Sequence, residues 1–188
     1  MVLSVVAAEW HTQMTKITIN RAPVLSLWSF VVARRLGHSH DTALSLAKAI
    51  TRMSAYAKAK SLGLVEERDT DVSKRTKARE QNQKFIVFMG RRIPVANSPS
   101  GPLALKDGKL IQPLSAEKYI TSKFGESRGA VYAAMVKLAR SRPPAKLAKE
   151  AFHLYEEFRP SISAGVAGWG EPGVLDLDKI ERLAEAAN

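Results

Sequence analysis

Val24–Gly37 reads VLSLWSFVVARRLG, His38–His40 reads HSH, and Asp41–Leu62 reads DTALSLAKAITRMSAYAKAKSL. In the first segment Val24, Leu27, Trp28, Val31 and Val32 recur at helical spacing and form one apolar side. Pro23 suits the first turn of that helix, where a backbone N–H has no intrahelical partner. Gly37 suits its end, because glycine enters the left-handed region without strain. In the second segment Asp41 is the expected N-cap, its carboxylate accepting a backbone N–H. Leu46, Ala47, Ile50, Met53 and Ala57 then share one face. Ser45, Lys48, Arg52, Tyr56 and Lys60 lie opposite. The stretch therefore predicts two packed helices joined by a sharp turn, with one face apolar and the other basic.

Several of these positions coincide with a known pattern. Ala33 is the small residue inside a first helix, Leu36 and Gly37 form the turn, and Ala43 and Leu46 are apolar positions of a second helix. In this stretch, residues 24–62, the chain resembles helix-turn-helix DNA-binding proteins. His38 stands where such proteins usually place an apolar plug. The resemblance implies that the second helix meets the DNA major groove. Ser45, Lys48 and Arg52 would then lie toward the groove, and Arg34, Arg35, Lys58 and Lys60 would contact phosphate.

Composition agrees with a polyanion partner. The 188 residues carry a formal net charge of +11. Residues 21–65 hold seven Lys/Arg and one acid, residues 84–114 five and one, and residues 115–149 eight and two. Residues 150–188 reverse this, with three and eight. Cations placed near phosphates release condensed counterions, which favours binding. There is no cysteine, so disulfides, thiol catalysis and cysteine-ligated metal centres are excluded. The apolar start, MVLSVVAA, lacks a basic lead and is too short for a signal peptide or a membrane span. A cytoplasmic protein without membrane contact is expected.

Outward from the helical pair the pattern changes several times. The segment ITI at residues 17–19 is too short to assign, and residues 66–83 are polar, as a linker or an exposed helix would be. KFIVFMG, from Lys84, reads as a strand. PLALKDGKLIQP, from Pro102, reads as a hairpin turning at Asp107-Gly108. A small β-element bounded by Pro94 and Pro113 follows from this, with Ser98-Pro99-Ser100-Gly101 as a plain loop. Helices resume at Ser115, the expected N-cap, and the first of them ends at Gly125. Val131, Ala134, Met135 and Leu138 line one side of the next. This second helix–glycine–helix is a weaker version of the first pattern, best read as a packing hairpin. After Pro143-Pro144, Leu147, Ala151, Leu154, Tyr155 and Phe158 form a third stripe, stopped by Pro160. Trp169, between two glycines, is expected to anchor the tail. A closing acidic helix is capped by Asp176 or Asp178, and Val174, Leu177, Ile180 and Leu183 are its packing candidates.

Catalytic signatures are sparse. The pair His40-Asp41 is similar to the adjacent His-Asp of HD phosphohydrolases, but the outlying ligands are not evident. His11 lies in an unassigned segment, and Asp69 and Asp71 lie in the polar stretch. No serine sits in a nucleophile elbow and no dinucleotide-binding glycine pattern occurs. Glu156-Glu157 reads as a solvated helix face. No metal, cofactor or catalytic residue is assigned, and a non-catalytic protein is preferred to an enzyme.

The expected fold is mainly α, with five or six helices around one core and a small β-hairpin inserted near residues 84–113. It is a single domain with an acidic tail over residues 160–188. The expected function is nucleic-acid binding, duplex DNA ahead of RNA, in a regulatory or accessory role, and a homodimer is compatible with it. The alternatives are a basic protein-interaction module, and a small enzyme with a cleft between the helices and the hairpin.

Overall fold

The computed structural model of the chain describes residues 15–63, 83–163 and 170–187. The protein is mostly α-helical with two small antiparallel sheets. In chain order the elements are β1 (Lys16–Ile19), α1 (Arg21–Arg35), α2 (His40–Ser61), β2 (Lys84–Phe88), β3 (Arg91–Ser98), β4 (Gly101–Lys106) and β5 (Lys109–Leu110). There follow α3 (Pro113–Phe124), a 3-10 turn (Gly125–Ser127), α4 (Arg128–Arg140), α5 (Pro144–Phe158), β6 (Gly173–Asp176) and α6 (Leu177–Glu185).

Helix α1 is the central element. Every residue from Pro23 to Ala33 is buried, as in a helix covered on all sides. Its two inward hydroxyls are satisfied. Ser26 Oγ lies 2.7 Å from Thr51 Oγ1, and Ser29 Oγ donates to Met89 Sδ at 3.2 Å. Trp28 is fully buried, donates its indole N–H to the Ala151 carbonyl at 2.7 Å, and meets Phe158 edge-on at 5.3 Å. Gly37 ends the α1 turn with φ of 93°, in the left-handed region expected of it. The cap of α2 is Ser39 rather than Asp41: its Oγ accepts from the Thr42 N–H at 3.2 Å. The Ser26–Thr51 bond lies far from the Leu36–Ser39 turn, so the two helices run side by side for much of their length.

The inserted β-element is larger than the hairpin expected. It is a four-stranded meander in the order β2-β3-β4-β5. It begins at Lys84, and Pro94 lies inside β3 opposite Phe85 rather than bounding the element. Pro94 has no N–H to donate, and the β3–β4 pairing starts just beyond it, at Val95↔Ala104. Asp107 and Gly108 both have positive φ, as the primed turn requires. Met89 and Gly90 form a second turn of this kind. A methionine at φ of 48° costs of order 1–3 kcal/mol, which the burial of its side chain beside Ser29 offsets.

The amphipathic stripes of the later helices are buried as expected: Val131, Ala134, Met135 and Leu138 on α4, and Leu147, Ala151, Leu154, Tyr155 and Phe158 on α5. The cap of α3 is Gln112, with Pro113 in the first turn, so Ser115 lies inside the helix. The tail returns to the start of the described chain, where β6 pairs with β1 from Ile19↔Gly173 to Lys16↔Asp176. A Cβ on Gly173 would meet the Ser161 carbonyl oxygen at 2.6 Å, so no side chain fits there. Asp176 Oδ1 caps α6 by accepting from the N–H groups of Asp178 and Lys179. Leu175, Leu177, Ile180 and Ala184 are buried, whereas Val174 faces solvent. Trp169, His11, Asp69, Asp71 and most of the polar stretch lie outside the described residues. No helix among the described residues is long and apolar enough to cross a membrane.

Candidate nucleic-acid interface

The N-terminal half of α2 is not a free reading face. Residues Thr42–Ala47 are all buried. The reason is the sheet: β4 lies along α2, and Ser45 Oγ accepts from the Ala104 N–H at 3.0 Å while donating to the Thr42 carbonyl at 2.9 Å. The β3–β4 turn sits on the start of the helix, with Ser39 Oγ donating to the Ser100 carbonyl at 3.0 Å. Ser98-Pro99-Ser100-Gly101 is thus a docked hairpin turn. Ser45, placed toward a groove by its position on the polar face, has no exposed surface. A short hydroxyl can serve a buried strand as well as it serves solvent.

Beyond Ser45 the helix emerges. Lys48 and Arg52 are half-buried, and Tyr56 is 55% exposed. They stand at i, i+4 and i+8, on one face. Ala57, expected on the apolar face, is exposed, as are Lys58 and Lys60 near the end of α2. Arg34 and Arg35 are exposed at the other end, and Arg34 Nη1 donates to the His38 carbonyl at 2.7 Å. The two ends of α2 are separated by about 30 Å at 1.5 Å per residue, so the seven residues do not converge. Lys48 and Arg52, one turn apart in the middle of α2, share one site.

Other elements complete that site. Because Ala104 lies over Ser45, Lys106, two residues further along β4 on the same face, falls beside Lys48. Lys109 is the cross-strand partner of Lys106. From α3, Ser115 Oγ accepts from Lys48 Nζ at 2.6 Å and donates to the Gln112 carbonyl at 2.6 Å. Lys118, one turn on, is exposed. Burial, then Arg52, then Lys106 push the Lys48 ammonium below its ordinary pKa. The last two causes are like charges. Among the described residues, no ion pair includes Lys48 or Arg52, and Lys106 pairs only with its exposed neighbour Asp107 at 3.7 Å. The other pairs among them lie on or next to α4, α5 and α6. Lys106, Lys109, Ser115 and Lys118 give no local sign in the sequence of belonging with Lys48. The one available cue is a lysine on each side of the Asp107-Gly108 turn.

The histidine turn is structural in its contacts. His38 stands edge-on to Phe88 at 6.4 Å, and burial pushes its pKa down. His40 is edge-on to Phe30 at 5.3 Å. No group of three His or acid side chains that could hold a metal occurs among the described residues. The acidic α6 packs by its apolar side, with Lys137 within 3.4 Å of Glu185 and Arg142 Nη1 donating to the Leu183 carbonyl at 3.2 Å. No protein-family model, curated protein or solved structure matches the chain.

Proposed function

We propose that this is a nucleic-acid-binding protein that holds duplex DNA by its phosphates, in an accessory or regulatory role. The contact surface is the middle and C-terminal turns of α2 together with the β4–β5 hairpin and the start of α3. The helix-turn-helix resemblance enters in altered form: α2 supplies contacts, but not through its first turns, which lie under the β3–β4 turn. On this reading the helices and the sheet form one core round α1, and the sheet's task is to bring Lys106 and Lys109 to α2. The observation that carries the reading is the gathering of Lys48, Arg52 and Lys106, of which only Lys106 has an acidic partner among the described residues, its exposed neighbour Asp107. Like charges held together at a surface cost free energy unless an anion is bound there. The experiment is lysine acetylation with and without duplex DNA, read by mass spectrometry. Lys48, Lys106, Lys109 and Lys118 become protected, while Lys137 and Lys146, which pair with acids elsewhere, react as before. Uniform reactivity in the presence of saturating DNA overturns the reading.

A further inference from the structure

We propose that Lys48, Arg52 and Lys106, with the Ser115 hydroxyl, form the seat of a terminal phosphomonoester of a nucleic-acid strand, and that Tyr56 stacks on the adjoining terminal base. The inference rests on the nucleic-acid reading and goes beyond it by naming the part of the ligand that this site takes.

Convergence is the first ground. A surface that only tracks a backbone meets phosphate diesters of one charge each, strung along the helix axis. Its cations are then best spread along a line. Here Lys48 and Arg52 stand one turn apart on α2, Lys106 lies two residues past the Ala104 that bonds Ser45, and Ser115 of α3 holds Lys48 Nζ at 2.6 Å. After burial, Arg52 and Lys106 both push the pKa of the Lys48 ammonium down. A phosphomonoester carries nearly two negative charges at neutral pH and three strong acceptor oxygens. It matches such a cluster better than a diester does.

Donor supply is the second ground. Lys48 Nζ spends one proton on Ser115 Oγ, at 2.6 Å, and an ammonium has three. Arg52 makes no hydrogen bond or ion pair with a described residue, which leaves its guanidinium fork free for two phosphate oxygens. The Ser115 hydroxyl now points its proton at the Gln112 carbonyl and can rotate to donate to an oxygen held by Lys48.

Tyr56 is the third ground. It stands one helical turn past Arg52, a rise of about 6 Å, on the same face. It is 55% exposed and touches no other described ring. An exposed ring that far from a phosphate seat is placed to stack on the base that the phosphate carries.

The test uses the full chain and three internally labelled duplexes of one sequence, bearing 5′-phosphate, 3′-phosphate or hydroxyl ends, with binding read by fluorescence anisotropy. One phosphorylated form should bind at least about tenfold tighter than the hydroxyl form, the worth of one or more charge-assisted hydrogen bonds. Which form does so tells the two ends apart. The preference should shrink below about pH 6, where the monoester takes up its second proton. It should collapse in Lys48→Ala and in Lys106→Ala, variants on separate elements, so that a folding defect in one leaves the other informative. Tyr56→Ala should weaken the preferred duplex more than the hydroxyl form. Equal affinity for all three duplexes overturns the inference and leaves the nucleic-acid reading standing. A preference that survives both lysine variants places the end elsewhere and also overturns it. Failure of every duplex to bind overturns both.

Discussion

Ser45→Ala separates two roles that the sequence alone does not. In the structure Ser45 has no exposed surface, and its hydroxyl is the partner of the Ala104 N–H, 3.0 Å away. Removing the oxygen leaves that buried N–H unsatisfied, at a cost of about 1–3 kcal/mol. The small cavity adds little, since only one atom is removed. For a chain of 188 residues each kcal/mol lowers the melting temperature by about 2–4 °C, so a fall of roughly 5 °C is expected by calorimetry. DNA affinity, measured well below the transition, should match that of the parent. A base-reading Ser45 gives the opposite pattern: unchanged melting and weaker or less selective binding. That outcome would refute the packing of β4 on α2 and with it the whole composite site.

Other perturbations test the surrounding frame. Gly37→Val should destabilise the fold by about 1 kcal/mol or more, because a β-branched residue resists a φ of 93°. The space around a Cβ is open, so the loss comes from backbone strain alone, and an unchanged melting temperature would show that Gly37 does not hold this conformation. Trp28→Phe should cost about 1–3 kcal/mol, because the Ala151 carbonyl loses its indole donor, and a neutral result would remove that hydrogen bond from the account. Burial pushes the Tyr155 hydroxyl up to about 12, above its unfolded value. Its contribution is therefore complete below about pH 10 and is lost as pH rises toward 12; Tyr155→Phe should flatten the alkaline melting curve there. Deleting the chain after Gly173 removes buried Leu175, Leu177, Ile180 and Ala184 and most of the strand opposite β1. Loss of cooperative unfolding is expected, whereas a folded truncation with stronger DNA binding would show α6 to be a competitor rather than a structural part.

How legible each element is in the sequence follows its physics. The α5 stripe is plain because one face packs and the other meets water, so periodicity alone defines it. Helix α1 reads as amphipathic although it is covered all round; Ser26 and Ser29 look polar in the sequence, but each has a partner from a distant segment. The polar face of α2 misleads at Ser45 for the same reason, since a sheet from sixty residues away covers it. The helix starts at Ser39 and Gln112 fall two or three residues from the expected ones: the Ser39 hydroxyl takes the capping role expected of Asp41, and Pro113 opens α3 with no side-chain cap at Gln112. Pro94 suggests a boundary because proline cannot donate to a ladder, yet the β2–β3 pairing runs through it and only the β3–β4 pairing starts beyond it. The β1–β6 pairing joins segments more than 150 residues apart, and no local pattern announces it. The site divides likewise. Lys48 and Arg52 are visible through helical spacing, whereas Lys106, Lys109, Ser115 and Lys118 arrive through tertiary packing.

The central claim is that phosphates are held at the junction of α2, β4 and α3. The dependence of duplex affinity on salt, taken for the parent and for the Lys48→Ala, Arg52→Ala, Lys106→Ala triple variant, tests it most directly. The parent should show log affinity falling linearly with log salt. The triple variant should bind more weakly at low salt, with a slope shallower by about one for each phosphate it no longer neutralises. Identical slopes in two equally folded proteins would contradict the claim.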